Sequence, residues 1–299
     1  MSFIQLMKIS KKKWFYYKNQ FKNKIVYCNC DDYTKSNFVK YFNDNFHTLG
    51  LQKLIATAYN SNGKGIYYSY DGTREETKEL EGNGDFQSPE CIEILNQVNI
   101  VVTNPPFSLF RTYIKCMYQH NKLFIILGNV NGVTTKEIFP YVRDNKLWFG
   151  PSISSGDRKF YVPDNYSLEA AGCGIDENGK RYIKVKGVRW FTNMQSDTDK
   201  PFLELTQKYT PEQYPLYDNY NAIEVSKTKD IPMDYDGVMG VPITFLDKHC
   251  PEQFEIIGIT SSFDKNEKVE QLRTHPKYLN RGMINGKELY ARILIKKNK

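Results

Sequence analysis

The chain has 299 residues, 40% of them hydrophobic and 14% aromatic, enough for one large core or a core with a smaller appended domain. Charged residues make up 25%, mean hydropathy is −0.58, and no uninterrupted apolar run approaches membrane-spanning length, so a membrane-embedded chain is excluded and a cytoplasmic protein is expected. The net charge of +7 and pI near 8.8 suit a polyanionic partner, although a lysine-rich composition alone produces the same figure.

In chain order, "NKIVYCNC" (23–30) reads as a short strand, and "DYTKSNFVKYFNDNF" after it has helical spacing at Phe38, Tyr41, Phe42 and Phe46. "LQKLIATAY" follows as a second strand, and "GIYYSYDG" as an extended segment ending in a turn. The Ser-Pro start of "SPECIEILNQV" marks a helix N-terminus. "NIVVTN" is the next strand, "FSLFRTYIKCMYQH" the next helix and "KLFIILGN" the next strand, before a helical "TTKEIFPYVRDN" and a strand-like "KLWFG". Strands alternating with helices imply an α/β sheet that is mostly parallel, with ligands outside the carboxyl ends of its strands. After about residue 150 the rhythm breaks into Gly-, Pro- and Tyr-rich stretches with short alternating runs, a loop-rich α+β region. We therefore expect an α/β catalytic domain over 1–150 and a second region over 151–299, from which 188–193 ("VRWFTN") returns to the main sheet.

"VVTNPPFSLF" (101–110) stands where chemistry is expected. Prolines fix φ and remove backbone donors, and the residue before a proline is held extended. A strand ending in Asn104-Pro105-Pro106 thus presents the Asn104 side-chain oxygen and the Pro105 carbonyl, and Phe107 offers a face for a planar ring. Two acceptors beside an aromatic suit an exocyclic amine on a base: pulling its hydrogens out of plane localises the nitrogen lone pair, and preorganised dipoles stabilise the ammonium that develops. A base inside a duplex reaches such a pocket only by flipping out. The plain alternative is a strand-terminating turn.

These stretches resemble the EcoRI-type adenine-specific DNA methyltransferases. The likeness runs in order through "FKNKIVYCNCDDYTKSNFVKYF" (21–42), "GNGDFQSPECIEIL" (82–95), "VVTNPPFSLFRTYI" (101–114), "LFIILGNVNGVTTKEIFPYVRDNKLWFG" (123–150), "VRWFTN", the block containing "GVPITF" (240–245) and "INGKELYARILIK" (284–296). The resemblance implies a Rossmann-like sheet with helices on both faces, a C-terminal target-recognition region, and methyl transfer from S-adenosylmethionine to adenine N6 in double-stranded DNA within a restriction–modification setting. It implies Asn104, Pro105, Pro106 and Phe107 as the catalytic motif. The cofactor would lie over neighbouring strand ends, which carry Cys30, Asp31 and Asp32 and, further on, Asp85 and Phe86. Carboxylates there serve the cofactor's ammonium and hydroxyl groups, and an aromatic covers its adenine. Asp31 or Asp32 equally suits an N-cap for the following helix, and Asp85-Phe86 an ordinary turn. Relatives carry an acidic-aromatic stretch ahead of the first strand, and here only Phe3 and Gln5-Leu6 of "MSFIQLMKIS" correspond to it.

In "GKRYIKVKGVRW" (179–190), Lys180, Arg181, Lys184, Lys186 and Arg189 cluster without an acid, and strand alternation sets Lys184 and Lys186 opposite Ile183 and Val185. Such a face suits DNA phosphates, and it equally suits solvent over a small core. "SGDRK" (155–159) and "THPKYLNRG" (274–282) are further loops expected to reach DNA. None of the six cysteines forms a CxxC pair and the four histidines show no ligand spacing, so no metal is expected. The partners expected are double-stranded DNA, not a membrane, and a cognate restriction endonuclease sharing the target site without a stable complex, with the chain itself monomeric. The alternatives are a methyltransferase for RNA adenine or protein glutamine, and a DNA-binding relative without activity.

Overall fold

The structure is a computed structural model and describes residues 14–150, 158–162, 167–169, 172–196, 201–274 and 281–298. These form two compact units, residues 14–129 with 149–196, and residues 130–148 with 201–298.

The first unit is built on strands β1 (Ile25–Cys28), β2 (Lys53–Ala58), β3 (Ile66–Tyr70), β4 (Glu75–Glu79), β5 (Ile100–Thr103) and β6 (Leu123–Asn129). β5 is buried at every position, as is β1 from Val26 to Cys28, which is why they read as continuous apolar runs without alternation. β2, β1, β5 and β6 pair in parallel. Ser36 caps the helix Asn37–Asp44 by accepting from the Phe38 and Val39 amides, so neither Asp31 nor Asp32 is its cap. The helix buries Phe38, Val39, Tyr41 and Phe42 in a core shared with Val26, Leu54, Val102 and Leu127. Ser88 caps Pro89–Gln97 in the same way, with Pro89 in the first turn, and the helix Phe110–Gln119 buries Phe110, Tyr113, Ile114, Cys116 and Met117.

The sheet departs from simple strand–helix alternation at both ends. β3 runs antiparallel to β2 and hairpins into β4 through a turn in which Asp71 accepts from the Thr73 and Arg74 amides. β4 ("EETKE") is exposed throughout, and its charges guard the edge against pairing with another chain. At the far end stand β7 (Trp148–Phe149) and a later strand. Between these the chain forms a small antiparallel sheet of β8 (Arg158–Tyr161), β9 (Cys173–Ile175) and β10 (Arg181–Val185), in the order β8-β10-β9. β11 (Val188–Thr192) then pairs antiparallel with β6, and the eight-stranded order is β4-β3-β2-β1-β5-β6-β11-β7. The unit is thus a mixed α/β fold around a large sheet whose centre is parallel.

The second unit carries β12 (Ile223–Glu224), β13 (Met239–Pro242), β14 (Phe254–Ile259), the two-stranded β15 (Met283–Ile284) and β16 (Lys287–Glu288), and β17 (Arg292–Lys297). Its main sheet has the order β12-β13-β17-β14. Arg292 grips the buried Glu224 carboxylate from Nε at 2.9 Å and Nη2 at 2.7 Å, and the Tyr217 hydroxyl donates to the same carboxylate. Gly240, in the "GVPITF" block, lies where a Cβ would stand 2.2 Å from the Tyr217 hydroxyl, so the glycine makes room for that network. Among the described residues no helix is long and apolar enough to cross a membrane.

Candidate active site

A cavity of about 510 Å³ opens at the carboxyl ends of β1, β2 and β5. β2 lies on one side of β1 and β5 on the other, the switch in winding at which open α/β sheets hold their ligands. β5 stays buried through Thr103, and its ladder ends where Pro105 and Pro106 have no N–H to give. Asn104, Pro105, Pro106 and Phe107 all line the cavity. The Asn104 side-chain oxygen is buried, and among the described residues no group donates to it. An acceptor left so costs about 1–3 kcal/mol, which a donor from outside the chain would relieve.

The Leu109 amide donates to the Pro106 carbonyl at 2.9 Å, opening the 3₁₀ turn Phe107–Leu109 that sets the Phe107 ring in the cavity wall. That ring meets Phe160 of β8 edge-on, centroids 6.3 Å apart and planes at 81°. Ile183 and Val185 of β10 complete an apolar wall beside Phe160, while Lys184 and Lys186, which alternate with them, are exposed.

The opposite side is built from the ends of β1 and β2 and the loop before the second helix: Asn29, Cys30, Tyr59, Gly84, Asp85 and Phe86. Gly84 has φ +79°, and a Cβ there would lie 2.5 Å from the Ala58 carbonyl oxygen, so only glycine lets the loop approach β2 this closely. Asp85 accepts from the Gln87 amide at 2.9 Å, an Asx turn that leads into the Ser88 cap. Phe86 is buried against Tyr113, ring centroids 5.0 Å apart, and the Tyr113 hydroxyl donates to the Asn29 side-chain oxygen. Burial pushes the Cys30 thiol well up, so it stays protonated.

The two aspartates after β1 part company. Asp31 is 7% exposed and does not line the cavity. Its carboxylate accepts from Thr103 Oγ1 at 2.5 Å and from Ser36 Oγ at 2.7 Å, and the Asn104 main-chain N–H lies near enough to favour its charged form. Burial raises its pKa to about 6, against the pull of those three groups. Asp32 sits in a surface turn, accepting from the Thr34 amide at 3.0 Å and pairing with Lys35 at 3.0 Å, and is not among the lining residues. The structure therefore gathers Cys30, Asp85 and Phe86 with the Asn-Pro-Pro-Phe motif, sets Asp31 behind it, and leaves Asp32 outside.

The basic residues also divide. Lys180, Lys184 and Lys186 are exposed and Arg181 is half-buried. Arg189 is buried, because β11 belongs to the main sheet and is covered on both faces, and its guanidinium donates to the Val188 carbonyl at 3.0 Å. Lys159 stands directly across from Lys184, and its ammonium lies 4.4 Å from the centre of the Tyr182 ring. Phe3, Gln5 and Leu6 and most of the two loops 155–159 and 274–282 lie outside the described residues. Sequence reasoning missed Asn29, Tyr59, Leu109, Phe160 and the cavity role of Ile183 and Val185. Tyr59 had a signal, its place directly after β2; Phe160 had none, because it arrives from a separate sheet. Among the described residues no group of His, Cys, Asp and Glu could hold a metal ion.

The mixed α/β fold, with a cavity at the switch point of a sheet whose centre is parallel, is that of a methyltransferase-type domain. The family model described as adenine-specific methyltransferase EcoRI matches residues 3–298. The chain is 45% identical to the Type II methyltransferase M.EcoRI of Escherichia coli, over 94% of this chain and 88% of that one. It is 41% identical to M.MgeORF184P of Mycoplasma genitalium (94% and 90% covered) and 38% identical to M.MpnI of Mycoplasma pneumoniae (94% and 89% covered), both named Type II methyltransferases. No solved structure matches the chain. The chain belongs to the EcoRI family of adenine-specific DNA methyltransferases. It is an enzyme, a site-specific methyltransferase acting at adenine N6 of DNA.

Proposed function

We propose that Asn104 and Pro105 hold the amine of a target adenine that has flipped out of double-stranded DNA, and that Phe107 stacks on its ring. The observation that carries this reading is the buried side-chain oxygen of Asn104, without a donor among the described residues, on a residue that lines the cavity with Phe107 and Phe160. As N6 takes the methyl carbon and the carbon–sulfur bond breaks to leave a neutral thioether, positive charge grows on the nitrogen until it gives up a proton to water. The Asn104 side-chain oxygen and the Pro105 carbonyl accept from its two N–H groups and stabilise that charge at a fixed geometry, with no reorganisation needed as the reaction proceeds. Pro106 limits the backbone's freedom at the turn, and the apolar wall of Phe160, Ile183 and Val185 keeps water from the flipped base.

The other side of the cavity fits S-adenosylmethionine, which supplies an electrophilic methyl group on sulfur. Phe86 offers a fixed ring for the cofactor's adenine. Asp85 offers a carboxylate anchored through one hydrogen bond, and Asn29, Cys30 and Tyr59 line the remainder. Target recognition we assign to residues 151–299 apart from β11, with the exposed lysines Lys180, Lys184 and Lys186 and the half-buried Arg181 meeting phosphates, which position the duplex without reading its sequence. The setting is a restriction–modification pair, in which a monomeric methylase and its endonuclease share a site without a stable complex.

Incubating the protein with labelled S-adenosylmethionine and duplex DNA tests the reading. We expect label in duplex DNA, and a loss on the order of 10²–10³-fold in Asn104→Ala, the scale of removing one preorganised acceptor or donor. An Asn104→Ala enzyme at wild-type rate would refute it.

A further inference from the structure

The buried carboxylate of Asp31 has no part in the chemistry proposed above, yet it lies directly behind the residue that does. Among the described residues it is one of few buried acidic groups, and the groups around its oxygens come from different places in the fold. Thr103 Oγ1 is the last side chain of β5, the Asn104 N–H is the next main-chain donor, and Ser36 Oγ is the cap of the helix after β1. Its own amide donates to the Thr57 carbonyl of β2 at 3.1 Å. Asp31 therefore ties together the ends of all three strands that frame the cavity, and its bond to Thr103 falls at the point where β5 gives way to the Asn-Pro-Pro turn.

Among the described residues no group donates to the Asn104 side-chain oxygen to steer it. The direction of its oxygen is set by its main chain and by the packing around it. Pro105 holds Asn104 extended from one side. From the other side the Asp31 carboxylate grips the hydroxyl of Thr103, the residue directly before Asn104. We infer that Asp31 is a positioning residue for methyl transfer: it fixes the backbone at Thr103–Asn104 so that the Asn104 carboxamide faces the target amine, and it does not itself touch the cofactor. The inference rests on the reading of Asn104 given above. Asp31 stands where a cofactor carboxylate was expected from the sequence, but its oxygens are already occupied and it does not line the cavity.

The test compares Asp31→Asn, Thr103→Val, their combination and Asn104→Ala in the full chain. Binding of S-adenosylmethionine and of duplex DNA is measured by titration, and the chemical step by single-turnover methylation of pre-bound duplex. Asp31→Asn keeps the shape and removes the charge that holds its donors. We expect its single-turnover rate to fall on the order of 10²-fold, the cost of a small misplacement of a reacting group, with both dissociation constants at their wild-type values. Thr103→Val, which removes one donor, should slow the step by about tenfold. Added to Asp31→Asn it should cost nothing further, because both act through one contact. If Asp31→Asn does not fold, Thr103→Val alone carries the comparison.

Wild-type single-turnover rates in these variants would overturn the inference. So would weakened S-adenosylmethionine binding with an intact rate at saturation, the signature of direct cofactor contact. An inactive Asn104→Ala beside an unimpaired Asp31→Asn overturns this inference alone, whereas an active Asn104→Ala removes the reading beneath it.

Discussion

Asp31 also makes the stability of the first unit depend on pH in a direction opposite to that of most carboxylates. Folding raises its pKa from 3.8 to about 6, because burial disfavours the charged form by more than Thr103, Ser36 and the Asn104 main chain favour it. A shift of that size corresponds to about 3 kcal/mol at roughly 1.4 kcal/mol per unit. The sign follows from proton uptake on folding: the contribution is fully present below about pH 4, where Asp31 is protonated in both states, and is lost as pH rises through about 6. The titratable groups that face it, Cys28, Cys30 and Tyr113, are all pushed upward by burial and remain neutral across this window. Replacing Asp31 with Asn removes the linkage. Urea unfolding followed by tryptophan fluorescence, on wild type and Asp31→Asn at a series of pH values, isolates it, since all other carboxylates cancel in the difference. The variant should gain about 2–3 kcal/mol relative to wild type between pH 4 and pH 7 and then level off. A difference that stays constant, or runs the other way, would show that the carboxylate is not held in a desolvated site. Combined with a slower chemical step, the expected gain above pH 6 would make this a case in which the enzyme gives up stability to aim a functional group.

Other consequences follow from the same geometry. Gly84→Ala adds a Cβ 2.5 Å from the Ala58 carbonyl oxygen at a positive φ; it should cost roughly 1–3 kcal/mol and weaken S-adenosylmethionine binding by displacing Asp85 and Phe86. Gly179→Ala, also at positive φ but with nothing within 4 Å of the new Cβ, should leave cofactor binding unchanged in the same titration. Removing Lys184 and Lys186 together should weaken binding to all duplex sequences alike and lower the slope of log affinity against log salt by about 2, measured by fluorescence anisotropy. An unchanged slope would mean that this face points away from DNA.

Much of the first unit was legible because local chemistry repeats along it. Continuous apolar runs marked β1, β5 and β6, Ser-Pro marked the start of the helix Pro89–Gln97, and Asn-Pro-Pro marked the point where β5 must stop. β4 escaped because "EETKE" has no apolar face: it is a strand only through its pairing with β3. Capping of the first helix stayed open as an alternative role for Asp31 or Asp32, and Ser36 takes it, since all three are competent caps and only the fold decides which one is free for the task.

By itself the sequence determined the family, the parallel heart of the sheet, and the strand end at which Asn104 and Phe107 line a cavity, because periodicity, turn chemistry and motif spacing are properties of neighbouring residues. The tertiary structure alone decided that Phe160, Ile183 and Val185 wall the cavity, that Arg189 is buried in β11 while Lys184 and Lys186 are exposed, and that Asp31 sits behind Asn104 and not in the cavity. Each of these depends on strand pairing and burial between segments far apart in the chain, and a carboxylate's surroundings, not its place in the sequence, set what it can do.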